Sequence, residues 1–217
     1  MQAKAGMAVV QSITDPTIFD NLRVVVEGAL YERDLAGEIL VVERRDLVDL
    51  AAFSRSFRMK VREKAPAASS QEAVQLEFRL TSQFMDFAAE KAAAIWGGSP
   101  PSTAGCMLEA SLRVPLSPAE RSGKVAELRP EHLPLGALRE TGQAVEHIAA
   151  GIWKEGRERP DLQLYFHGTV SSVAAIELEA RFRYARPLDE DDAAWIPDML
   201  EDCLAVLQQW NARGMDA

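Results

Sequence analysis

The chain has 217 residues, 47% of them hydrophobic and 26% charged, and 33 acidic against 24 basic side chains give a formal net charge of −9. That length suits one domain or two small ones, burying about 70% of the unfolded surface, and the composition excludes global disorder. The acidic excess repels phosphodiester backbones and anionic membranes at long range, which argues against nucleic acid as the principal partner.

Cys106 and Cys203 stand far apart and form neither a C-x-x-C motif nor a metal-ligand spacing, so two buried, reduced thiols are expected. No stretch approaches the roughly 18 apolar residues of a membrane span. The opening "MQAKAGMAVVQ" is too short in apolar run for a signal peptide, and Met7 is an alternative start. A cytoplasmic protein with no membrane attachment is the expectation.

In chain order, "NLRVVVEGALYE" (21–32) and "EILVVE" (38–43) predict two strands joined by the glycine-containing "RDLAG", a hairpin. Asp46 predicts an N-cap for a short helix over "LVDLAAFSR", with Leu47, Leu50 and Ala51 on one face. "SFRMKVREK" (56–64) alternates, Phe57, Met59 and Val61 against Arg58, Lys60 and Arg62. A loop follows over 65–73, and then "VQLEFRLT" (74–81) alternates again, Val74, Leu76, Phe78 and Leu80 against Gln75, Glu77 and Arg79. From Ser82 the period becomes helical, with Phe84, Ala88, Ala92 and Ile95 on one side and Met85 and Trp96 beside them. "GGSPPSTAG" (97–105) ends that helix.

"CMLEASLRV" (106–114) predicts a strand, and "SPAE" (117–120) predicts the start of a short helix running to about Leu128. Leu138, Val145, Ile148 and Ile152 mark a longer helix. "LQLYFHGTV" (162–170) and "SVAAIELEARFRYA" (172–185) predict two strands. "DEDDAAWIPDMLEDCLAVLQQW" (189–210) predicts a closing helix, with Ile196, Leu200, Cys203, Leu207 and Trp210 inward.

Two-faced strands belong to antiparallel sheets covered by helices on one side only. The predicted fold is therefore α+β, a two-layer sandwich of mostly antiparallel sheet with amphipathic helices on one face. Strand-into-helix units in each half resemble a weak internal duplication. The expected organisation is a partly flexible segment (1–17), a first half (18–97), a loop (98–105) and a second half (106–213) in one compact unit.

Candidate sites follow from the same pattern. Glu177, Glu179, Arg181 and Arg183, with Glu77 and Arg79, form a charged strand face that either meets water through cross-strand pairs or docks a partner. Arg55, Arg58, Lys60 and Arg62 form a basic patch, suited to an acidic partner or to protecting a sheet edge. His167 is a weak candidate general base; His132 and His147 are scattered, and no metal site or cofactor is expected. "DEDD" (189–192) reads as acid at a helix start.

The leading functional expectation is a non-enzymatic domain that binds a protein partner, most simply itself as a homodimer, through its sheet face or a helix groove. A small-molecule hydrolase using His167 with Glu177 or an acid from 189–192 is the first alternative. A carrier of an apolar molecule, lined by Phe78, Phe182 and Tyr184, is the second.

Overall fold

The computed structural model describes residues 16–64, 74–99, 101, 104–115, 135–153, 161–168 and 176–215. In chain order the elements are α1 (Ile18–Leu35), β1 (Ile39–Asp49), β2 (Ser54–Glu63), β3 (Gln75–Gln83), α2 (Phe84–Trp96), β4 (Met107–Pro115), α3 (Leu135–Ile152), β5 (Asp161–Gly168), β6 (Ile176–Arg183), a 3-10 turn (Glu190–Ala194) and α4 (Ile196–Met215). The strands form one six-stranded sheet of order β1-β2-β3-β4-β6-β5. Every neighbouring pair is antiparallel. The architecture is the α+β sandwich that alternation predicts. The 65–73 loop, the short helix after Ser117, His132 and the first fifteen residues lie outside the described residues.

One helical layer covers one face. α1 packs against β1, α4 against β2 and β3, and α3 against β5 and β6, with α4 touching both other helices. Phe57, Met59 and Val61 of β2, Leu76, Phe78 and Leu80 of β3, and Leu178, Ala180 and Phe182 of β6 are buried beneath that layer. Ile196, Leu200, Cys203 and Leu207 of α4 meet them at helical spacing, as expected, and Trp210 is half-buried. Both cysteines are free and buried. Burial first, with the charge of Asp202 adding to it, pushes the Cys203 thiol upward.

Two predicted elements are corrected. Residues 21–32 are helical, not a strand, so the expected hairpin with 38–43 does not form. The valine run 24–26 favours a strand locally, but Leu22, Val26 and Leu30 recur at four-residue spacing and are all buried. A capping box fixes the start: the Asp20 amide donates to Thr17 Oγ1 at 3.1 Å, and the Thr17 amide donates back to the Asp20 carboxylate at 3.2 Å. The predicted helix at 47–53 is instead the end of β1 and its turn. The β1–β2 ladder runs on to Asp49↔Ser54, and those inter-strand hydrogen bonds outweigh a short local helix.

After β6 the chain is tied back to β4 by a single bridge. The Cys106 amide donates to Leu188 O at 2.9 Å, and the Leu188 amide donates to Cys106 O at 2.7 Å. Gly105 permits this approach, because a Cβ there would lie 2.5 Å from Leu188 O. Gly105→Ala is expected to cost about 1–3 kcal/mol through that clash. Calorimetry should show a lowered melting temperature; an unchanged one would mean that the bridge yields freely.

Candidate functional site

Helix α2 continues directly from β3. The Gln83 amide donates to the Asp86 carboxylate at 2.9 Å at its start, and Gly97, at φ 73°, ends it in the left-handed conformation. The predicted apolar stripe is present, but it does not cover the sheet: no residue of α2 is buried. Phe84 is 54% exposed, Met85 75% and Trp96 83%, and Phe87 and Ile95 are also open to solvent. The side toward the body carries carboxylates instead. Both oxygens of Glu90 accept from the Ile18 amide at 3.2 Å, so a side chain of α2 caps the first turn of α1. Burial, the largest influence, raises the Glu90 carboxyl above its usual range against that hydrogen bond.

The β1–β2 turn extends the apolar surface with Val48, Leu50 and Phe53, all exposed. Asp49 shapes this turn by accepting from the amides of Ala51 and Ala52, each at 2.9 Å. Phe53 sits at φ 48°, unusual for a bulky residue. The Phe84 amide donates to Phe53 O at 2.7 Å, and the two rings lie 6.1 Å apart, with Phe87 5.9 Å beyond. No signal in the sequence marks Phe53, because its placement comes from the turn and from α2 together.

Between these elements lies a pocket of about 350 Å³, with Ile18, Phe19, Phe53, Phe84 and Phe87 on its walls and Cys106 in its lining. Burial first, then the charges of Asp86 and Glu90, push the Cys106 thiol up to about 12, which removes it as a nucleophile at neutral pH. At the rim, Arg55 binds Asp20 at 2.7 Å and Asp46 at 3.1 Å and lies over the Phe19 ring at 4.5 Å. Burial opposes it, but bonds from Thr17 and Arg55 hold the Asp20 carboxyl below its ordinary value. Arg55 therefore fastens α1 to the sheet on the helical side, which takes it out of the expected basic patch of Arg55, Arg58, Lys60 and Arg62.

Register brings the remaining charged candidates together on the open face. One cross-strand row runs Glu43, Lys60, Glu77, Ser111, Arg181, Gln163, and the next runs Arg45, Arg58, Arg79, Glu109, Arg183, Asp161. Glu77 and Glu179 lie at the bottom of this face, their side chains only 7% and 3% exposed. Arg79 at 3.3 Å, Lys60 at 3.7 Å and Arg58 at 4.0 Å surround Glu77. Arg181 makes two 3.0 Å bonds to Glu179, and the Ser111 hydroxyl donates to it at 3.1 Å. Arg181 also lies over the Tyr165 ring at 4.4 Å. The face is thus laced internally by ion pairs. β2 is not an edge strand, so edge protection does not explain Arg58, Lys60 and Arg62.

His167 and Glu177 are cross-strand partners on β5 and β6, and their side chains lie outside those described. His147 is exposed on α3. Asp192, from the acidic run, is bound by Arg186 at 2.6 and 2.7 Å. Phe78, Phe182 and Tyr184 are buried in the core rather than in the pocket lining. Among the described residues, no group of three or more His, Cys, Asp or Glu is placed to hold a metal ion, and no helix is long and apolar enough to cross a membrane. Comparison with protein-family models, curated proteins and solved structures finds no match.

Proposed function

We propose that this chain is an association domain that docks to a second copy of itself through the apolar end formed by α2 and the β1–β2 turn. One observation carries the reading: a strongly apolar helix of 13 residues has none of them buried. A helix that short is marginal by itself in water, and an apolar helix face normally packs against something. The exposed Val48, Leu50, Phe53, Phe84, Met85, Phe87, Ile95 and Trp96 together present on the order of 1,000 Å². A stable interface needs about 800 Å² per partner.

The residue pattern favours a copy over an unrelated protein. About Glu90 three of the six pairs of positions match in character: Phe84 and Met85 mirror Trp96 and Ile95, and Ala88 mirrors Ala92, whereas Asp86, Phe87 and Lys91 face alanines. A two-fold interface must be complementary to itself. Two such helices crossing antiparallel bring small residues together at the centre, where backbones approach closely, and bulky ones at both ends.

Light scattering over about 1–100 μM protein tests this, in the range of ordinary dimer affinities. The wild-type chain is expected to reach twice the monomer mass, and Met85→Asp combined with Trp96→Asp is expected to remain monomeric. Both side chains are exposed, so the variant should keep the wild-type circular dichroism. A wild-type monomer at the highest concentration overturns the reading.

A further inference from the structure

The open sheet face is not uniform in charge. On its β4–β6–β5 half, Arg113, Arg181 and Arg183 are balanced by Glu109, Glu179 and Asp161 among the described side chains. On its β1–β2–β3 half, Arg45, Arg58, Lys60, Arg62 and Arg79 share the surface with three carboxylates, Glu43, Glu77 and, at the turn end, Asp49. Depth sharpens the difference. The Glu77 side chain is sunk, whereas those of Arg45 and Arg79 are 56% and 42% exposed. A visitor to this half therefore meets guanidinium groups, on a protein whose total charge is −9.

Register supplies the second observation. Arg45 pairs across the strands with Arg58, and Arg58 with Arg79, so three guanidinium side chains stand abreast about 5 Å apart. Like charges directly opposite one another destabilise a sheet. The adjoining row avoids this by alternating Glu43, Lys60 and Glu77. Within the arginine row no carboxylate separates Arg45, Arg58 and Arg79; their counter-charges sit beside the row, Glu43 pairing with Arg45 and Lys60, Glu77 lying near Arg58, Lys60 and Arg79, and Glu109 following Arg79 in register.

We propose that the β1–β2–β3 half of the open face docks an acidic polypeptide segment, whose carboxylates meet the exposed excess of cations along the row Arg45–Arg58–Arg79. Guanidinium forks match carboxylates in two-pronged geometry. The described side chains of this half include no aromatic ring on which a nucleic-acid base stacks. The excess negative charge of the whole chain further opposes the denser charge of a phosphodiester strand. This surface is separate from α2, so it stands whether or not the chain dimerises there.

Fluorescence anisotropy with a labelled oligoglutamate peptide tests the proposal, with a labelled oligothymidylate of equal length as the competing arm. The peptide is expected to bind at low salt and to weaken steeply toward about 0.15 M, where charges are screened beyond roughly 8 Å. Arg45→Glu and, separately, Arg79→Gln are expected to raise the dissociation constant about tenfold or more, each retaining the wild-type circular dichroism. Arg183→Glu, on the balanced half, is expected to change it less than about threefold. No peptide binding at low salt, an equal loss with Arg183→Glu, or tighter binding of the oligothymidylate would each overturn it.

Discussion

Replacing Phe182 with alanine is expected to destabilise the domain by about 4 kcal/mol, the range found for deleting a buried phenyl group. Phe182 is 1% exposed and its ring lies 5.1 Å from that of Trp153, which follows α3. It is also flanked in register by Ala110 of β4 and Leu162 of β5. The small Ala110 and Ala180 beside it cannot expand into the vacated space, so a cavity remains. Urea unfolding should show a much lower midpoint with little change in slope. Because a domain's whole stability is about 5–15 kcal/mol, the variant is expected to be partly unfolded at body temperature. A midpoint close to wild type would mean that α3 is not packed over β6 as described.

The second large effect concerns acid. Asp192 is 6% exposed and accepts from Arg186 at 2.6 and 2.7 Å, from the Trp195 indole at 2.7 Å and from its own neighbour Asp189 at 2.9 Å. Arg186 foremost, against burial and with help from the Asp189 amide and the indole, holds its carboxyl down to about 2 from an ordinary 3.8. The folded value lies below the unfolded one, so the stabilisation is complete above pH 4 and disappears as pH falls toward 2. Its size is about 2 kcal/mol. Asp192→Asn replaces accepting oxygen with a donor that faces Arg186 and the Asp189 amide. That variant is expected to be about 2 kcal/mol less stable at pH 7. The two chains should converge near pH 2 when unfolding is followed across pH, and a gap independent of pH would refute this role for the ionised carboxylate.

The strands were legible because their alternation survives in the structure almost residue for residue. Phe57, Met59 and Val61, and again Leu178, Ala180 and Phe182, face the core, as a period of two demands. α1 was not legible as a helix. Its three consecutive valines carry a local strand preference, and the burial that overrides them depends on α4 and β1, which sequence spacing does not place. The candidate site divides in the same way. The apolar stripe of α2 was visible in the spacing of Phe84, Ala88, Ala92 and Ile95. That it turns outward was not, because its orientation is set by Glu90 reaching the Ile18 amide, 72 residues away in sequence. Likewise Arg58 was visible as a strand cation, but its position between Arg45 and Arg79 exists only once the register is known.

The irregularity in β1 bears on how copies of the molecule are kept from meeting. The ladder between β1 and β2 skips Val42, and β1 is a border of the sheet. A bulged border bends and twists, so it offers no long straight row of amides and carbonyls to a neighbouring chain. Strand-by-strand growth, the route toward fibres, is obstructed on that flank. The kink thereby sits where an open-ended polymer would have to begin.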